Sequence, residues 1–151
     1  VGVAEFSQAL TSHRLVSIDT MLFIYLLDEH PHYVEFATAL FSAIEQGQVH
    51  GVTSMLTLAE ILTAPAQKAN VQAMRDYELY LTNFPNLEIV PLQVEVARAT
   101  ATVRATTRLK LPDALQIATA LVAGADAIIS NDKQWRNRFP HPALLLIDDF
   151  L

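Results

Sequence analysis

The stretch LPDALQIATALVAGADAIISND, Leu111 to Asp132, decides the fold. Pro112 suits the first turn of a helix, where its missing donor costs nothing. Asp113 beside it suits the positive end of the helix dipole. The residues to Ala123 continue that helix and Gly124 ends it. AIISN then has the length and the branched, apolar content of a buried strand, and Asp132 follows it directly. A helix feeding a fully apolar strand is half of a parallel crossover unit, so the remainder of the chain is read for more of them.

Upstream, RLVSID (Arg14 to Asp19) reads as a short buried strand and TMLFIYLLD after it as a helix. VAEFSQALTSH, ahead of both, reads either as a short helix or as an added segment, so residues 1–13 are set apart as an N-terminal extension. From Pro31 to Gln46, Tyr33, Phe36, Leu40, Phe41 and Ile44 recur at helical spacing, with Gly47 as the stop. VHGVTS is a second strand, followed by a helix from about Thr57 towards Ala64 that Pro65 is expected to break. Val71, Met74, Tyr77 and Leu81 form another helical stripe. LEIVPL is a third strand that Pro91 punctuates, and a helix from about Val94 to Arg108 follows. ALLLID supplies a fifth strand. Apolar strands separated by helices predict a three-layer α/β/α sandwich with a mostly parallel central sheet, one domain over residues 1–151.

Composition narrows the function. At 151 residues and 52% hydrophobic, the chain is long enough for one real core. No apolar run approaches the ~18 residues of a membrane span, and the start lacks the pattern of a secretory signal. A soluble, cytoplasmic protein is the expectation. Cysteine is absent, which removes disulfides, thiolate nucleophiles and cysteine metal sites. The four glycines are scattered, so there is no phosphate-cradling loop, and no serine-hydrolase elbow occurs.

Four acids stand at strand-to-helix junctions: Asp19, Glu60, Asp113 and Asp132. In an open parallel sheet, ligands bind beyond the carboxyl ends of the strands. Asp19, Glu60 and Asp132 point to that edge directly. Asp113 reaches it if the preceding long helix runs down the sheet and the LKLP loop returns the chain. Each acid also has a structural explanation: Glu60 follows Thr57 as in a capping box, Asp113 complements a helix dipole, and Asp19 and Asp132 suit N-caps. Capping alone does not require all four on one edge. Gathered carboxylates are costly without a counter-ion, and their best use is to hold hard divalent cations, Mg2+ or Mn2+, for metal-assisted phosphodiester hydrolysis.

The net charge of −6 argues against nucleic acid as a partner, but bound cations would reverse the local field. Positive charge is also clustered, with Arg98, Arg104, Arg108 and Lys110 in one segment and Lys133, Arg136 and Arg138 in another. Phosphate contacts and plain surface solvation are both open for these segments. Arg104 and Arg108, one turn apart, are the leading phosphate contacts. Ser130 and Asn131 are neutral groups placed to touch substrate or to ligate through water.

The strand ending in Asp19, the AEIL segment with Glu60, the PDALQIATAL segment with Asp113 and the SND segment with Asp132 ahead of Trp135 resemble the PIN-domain ribonucleases. Among these, the chain is similar to the small VapC-type toxins of toxin–antitoxin modules, from about Arg14 to Leu151. The DA-x-x-x-A-x-A helix followed by a strand and [ST]-x-D is the most specific part. The resemblance implies that Asp19, Glu60, Asp113 and Asp132 are the catalytic and metal-binding acids, with Ser130 the small hydroxyl residue before the last. It also implies Mg2+- or Mn2+-dependent endonucleolytic cleavage of RNA, a homodimer and a cognate antitoxin. The alternative is a catalytically silent PIN-like scaffold that binds RNA or protein.

Other residues carry less. His30 and His32, around Pro31, are capable of ligating a metal but read more simply as surface groups, and Asp126 belongs at the opposite edge of the sheet. Asp148 and Asp149 end the fifth strand, where an approach to the site is open, and read more simply as a solvated terminus. Tyr33, Phe36, Phe41 and Trp135 read as packing residues, with base stacking as a second role for Trp135.

Overall fold

The computed structural model describes residues 2–151. In chain order the elements are α1 (Val3–Thr11), β1 (Leu15–Ile18), α2 (Thr20–Leu27), α3 (Val34–Glu45), β2 (His50–Ser54), α4 (Met55–Gln67), α5 (Val71–Thr82), β3 (Leu87–Val90), α6 (Val94–Thr107), α7 (Leu111–Ala123), β4 (Ala127–Ser130) and β5 (Ala143–Leu146). Short 3-10 turns at Lys133–Trp135 and Ile147–Phe150 flank β5. The strands form one sheet in the order β3-β2-β1-β4-β5, and every pairing is parallel.

Alternation of side chains along the strands divides the core in two. Val16 and Ile18 of β1 and Ala127 and Ile129 of β4 join Phe6, Leu10, Leu22, Leu40 and Ile44 on one face. Val52 of β2 and Ile128 of β4 join Ala114, Ile117, Ala118 and Trp135 on the other. Each large apolar side chain so buried contributes about 1.5–3 kcal/mol. Gly51 lets α3 approach the sheet: a Cβ there would stand 2.9 Å from Ile44 Cδ1 and 3.1 Å from Leu87 Cδ1. The segment before β1 is part of this core. Phe6 and Leu10 of α1 are fully buried, and Phe6 meets Phe36 and Phe150 edge-on.

Two local expectations are corrected. Pro65 does not end its helix; α4 runs on to Gln67 with Pro65 inside and buried. Its ring falls in the last turn, so only the bond to the Ile61 carbonyl is forgone, and burial of the ring offsets that loss. The route to Asp113 also differs. Glu95 at the start of α6 and Val122 near the end of α7 line the same surface groove, so the two helices form an antiparallel hairpin joined by Arg108, Leu109 and Lys110. It is α6 itself that carries the chain back to the carboxyl edge, and α7 then descends to β4. No helix among the described residues is long and apolar enough to cross a membrane.

Candidate active site

The strand order reverses between β1 and β4, where a parallel sheet opens a crevice beyond its carboxyl ends. Asp19 follows β1 at that point. Its backbone N–H continues the ladder to the Ile129 carbonyl at 2.9 Å, and its side chain N-caps α2 by accepting from the Thr20 N–H at 2.8 Å. The second carboxylate oxygen accepts from the Ser130 hydroxyl at 2.7 Å. Only 8% of Asp19 is exposed. Burial lifts its carboxyl to about 6 in spite of the Ser130 and Thr20 hydrogen bonds, and the negative charges of Glu60 and Asp113 push the same way.

Asp132 is held from the neighbouring strand. Its N–H donates to the Ser130 hydroxyl oxygen at 3.1 Å, and its carboxylate caps the 3-10 turn by accepting from the Gln134 N–H at 2.9 Å. Ser130, fully buried at the end of β4, therefore ties the two acids together. Asp113 lies in the first turn of α7 and is half-buried. Burial raises its carboxyl and the charge of Asp132 adds to the rise, while Trp135 and Lys110 pull it down. The indole N–H of Trp135 is buried and has no well-aligned hydrogen bond, so its effect on Asp113 is that of a nearby dipole.

Glu60 is not the end of a capping box. Ser54, the last residue of β2, caps α4 by accepting from the Leu56 N–H at 3.1 Å. The helix thus begins two residues ahead of Thr57, and Glu60 falls in its second turn. Its carboxylate accepts instead from the Thr20 hydroxyl at 2.7 Å, across to α2.

The four acids feel one another across the crevice: Glu60 and Asp113 act on Asp19, and Asp132 acts on Asp113. None of the ion pairs among the described residues involves them. Among the described residues, no group of three or more His, Cys, Asp or Glu side chains is placed to grip a metal ion directly. The donors are all carboxylate oxygens, which suit a hard cation that keeps much of its own water and takes one or two carboxylates, as magnesium does. They do not fit an ion that needs a closed nitrogen or sulfur cage.

The remaining candidates lie at varying distances from this centre. Asn131 turns away from the acids. Its amide N–H groups donate to the Tyr25 hydroxyl at 3.2 Å and to Asp148 at 3.3 Å, and its carbonyl accepts from the Asp148 N–H at 2.9 Å. Arg104 lies on α6 and donates to the Leu109 carbonyl at 3.4 Å. Arg108 lies beyond the helix in a left-handed conformation at φ 61°, so the two arginines do not share one helix face. The second basic segment is engaged internally: Lys133 with Asp148 at 3.1 Å, Arg136 with Asp149 at 2.7 Å, and Arg138 with the Thr107 carbonyl at 2.9 Å.

Asp148 is no solvated terminus. The Tyr33 hydroxyl donates to it at 2.8 Å, which with Lys133 and Asn131 holds its carboxyl below the usual range against the effect of burial. Asp126 does lie at the opposite edge, accepting from the N–H groups of Leu15 at 2.9 Å and Arg14 at 3.1 Å. Trp135 is 1% exposed and packs in the core, so no base can reach its ring. Sequence reasoning missed Thr20, Thr53, Thr57 and Gln116, which form a buried polar cluster behind the acids. Their signal is a set of hydrogen-bonding side chains inside otherwise apolar elements.

Over residues 16–138 the chain matches the family model described as PIN domain. Comparison with curated proteins gives no match. Among solved structures, the chain is similar to a toxin–antitoxin complex from Klebsiella pneumoniae, with 20% identity, a TM-score of 0.65 and coverage of 86% of this chain and 95% of that one. It is similar also to VapBC2 from Rickettsia felis bound to a promoter DNA fragment, at 16% identity and TM-score 0.68 over 87% and 98% of the two chains. A third is the sarcin–ricin loop cleaving toxin VapC20 of Mycobacterium tuberculosis, at 13% identity and TM-score 0.59 over 75% and 86%. At these identities the likeness is one of fold. The matched span takes in β1 through the turn after β4, with Asp19, Glu60, Asp113 and Asp132 all inside it, and the chain belongs to the PIN domain family.

Proposed function

We propose that this protein is a divalent-metal-dependent endoribonuclease, the toxin of a toxin–antitoxin pair, and that Asp19, Glu60, Asp113 and Asp132 form its catalytic and metal-binding centre. The observation that carries the reading is Asp19: a carboxylate 8% exposed, raised to about 6, with further acids rather than bases around it. Such a group destabilises the fold unless a cation neutralises it. Mg2+ or Mn2+ held there would polarise the scissile phosphate and acidify a bound water.

The chain's own residues supply the rest. Ser130 and the Thr20 N–H fix both oxygens of Asp19, so it meets an ion in one orientation. Glu60, on α4, and Asp113, on α7, approach from separate helices. Asp132, at the mouth of the crevice, orients the attacking water. Lys110, Arg104 and Arg108 near the start of α7 meet backbone phosphates, which offsets the net charge of −6. One of the neighbours is described as a toxin–antitoxin complex, one as VapBC2 bound to a promoter DNA fragment and one as a toxin that cleaves the sarcin–ricin loop. These descriptions support an RNA substrate and an antitoxin partner for this chain. A homodimer in the cytoplasm completes the proposal.

The test is RNA cleavage with magnesium against the same reaction in EDTA, for wild type and Asp113→Asn. Cleavage that survives both would end the assignment. The second reading, a silent scaffold, draws on the absence of three acids poised to grip one ion among the described residues. Under it, neither magnesium nor manganese raises the melting temperature; under the nuclease reading both do, and Asp19→Asn abolishes the shift.

A further inference from the structure

The buried cluster behind the acids has a definite direction once its hydrogens are counted. Thr20, Thr53, Thr57 and Gln116 are each 5% exposed or less. The Thr53 hydroxyl has one hydrogen, and the Ile18 carbonyl 2.8 Å away can only accept it. The Thr20 hydroxyl likewise gives its hydrogen to Glu60 at 2.7 Å. That leaves the Thr57 hydrogen to serve one of its two hydroxyl neighbours, Thr20 or Thr53, each at 2.9 Å.

Gln116, on α7, faces this group. Its Nε2 lies 3.2 Å from the Thr20 hydroxyl oxygen and 2.9 Å from that of Thr57. In this orientation both amide hydrogens are used and only Oε1 lacks a partner. Turned over, the amide would set its oxygen against hydroxyls with a single hydrogen between them to offer and would leave two buried donors unmet, the costlier arrangement. An amide N–H can only donate, so the chain from Gln116 through Thr20 to Glu60 is polarised toward the carboxylate, each bond strengthening the next.

We propose that Gln116 is a positioning residue of the acidic centre, which through the Thr20 hydroxyl holds the Glu60 carboxylate in place for cation binding without touching the cation itself. The inference rests on the metal-centre reading above. It gives α7 a double role, in which Asp113 at its start joins the acids and Gln116, one turn on, orients an acid from a different helix. Outer partners of metal ligands commonly change metal affinity by about 10–100-fold when removed.

The test is Mn2+ titration calorimetry on the full chain for wild type, Gln116→Met, Glu60→Gln and the double variant, with thermal melts to verify folding. Affinity should fall on the order of ten-fold in Gln116→Met, and adding that change to Glu60→Gln should cost nothing more. Unchanged affinity in Gln116→Met, or an equal loss in the Glu60→Gln background, would overturn the proposal. Should Gln116→Met not fold, Gln116→Leu carries the same cycle. If wild type binds no Mn2+, the metal-centre reading is what fails, and crystal structures of wild type and Gln116→Met then decide the positioning role alone. Glu60 displaced from Thr20 in the variant upholds it, and Glu60 unmoved refutes it.

Discussion

Asp19→Asn should make the metal-free protein more stable at neutral pH, although it removes a central residue of the candidate site. The Asp19 carboxyl stands at about 6 in the folded chain against 3.8 for the free side chain. Because the folded value is the higher one, the folded state binds the proton more tightly, and stability falls as pH rises between those two values. Above them the ionised group costs about 3 kcal/mol, at 1.36 kcal/mol per pKa unit. Asparagine removes that cost and forfeits about 1 kcal/mol, since its amide cannot accept from both Ser130 and the Thr20 N–H. The net gain near pH 8 is about 2 kcal/mol, or roughly 4–8 °C in melting temperature for a domain of this size. Near pH 4, where the native carboxyl is protonated, the variant should be slightly the less stable. Urea melts in EDTA between pH 4 and 8 measure this directly. A variant destabilised equally at both ends of that range would refute the account of Asp19 as a buried, uncompensated charge.

Ser130→Ala removes the donor to Asp19 and the acceptor for the Asp132 N–H together; we expect a loss of about 1–3 kcal/mol in chemical denaturation and a further rise of the Asp19 carboxyl, visible by carbon NMR titration. Gly51→Ala places a methyl against Ile44, Leu87 and Ile18. All three contacts are with the Cδ1 ends of flexible side chains, so the cost should fall at or below the low end of the about 1–3 kcal/mol typical of overpacking, and a melting temperature equal to wild type would show that these side chains turn aside. At the opposite edge, the Asp126 carboxyl is pushed up by burial but pulled below its usual range overall by the Leu15 and Arg14 N–H groups. Its contribution is present above the ordinary carboxylate range and is lost as pH falls through the depressed value, so Asp126→Asn should flatten the acid limb of the stability curve. A variant as acid-sensitive as wild type would contradict that role.

Local signals carried the sequence reading a long way. The stripe of Phe36, Leu40 and Ile44, the N-terminal Pro112 and the apolar run AIISN mark a helix, a helix start and a buried strand through periodicity and backbone chemistry that act within a few residues. The same local logic failed at Pro65, where burial in the last turn of α4 outweighs a lost hydrogen bond, and at Thr57, which resembles a cap only until Ser54 is seen to be one. It also misread Asp148 as solvated, because its partners Tyr33, Asn131 and Lys133 come from well-separated segments of the chain.

The sequence by itself determined that this chain alternates strand and helix, carries acids where strands give way to helices, and lacks the cysteines and glycine loops of other chemistries. Those properties follow from residue type and spacing. Tertiary structure alone decided that α6 climbs beside α7, that α1 packs in the core, that Glu60 answers to Thr20, and that Gln116 stands behind both. Each of these depends on which side chains meet across long stretches of chain, and such meetings are set by packing and by the satisfaction of buried polar groups, which leave no periodic trace in the order of residues.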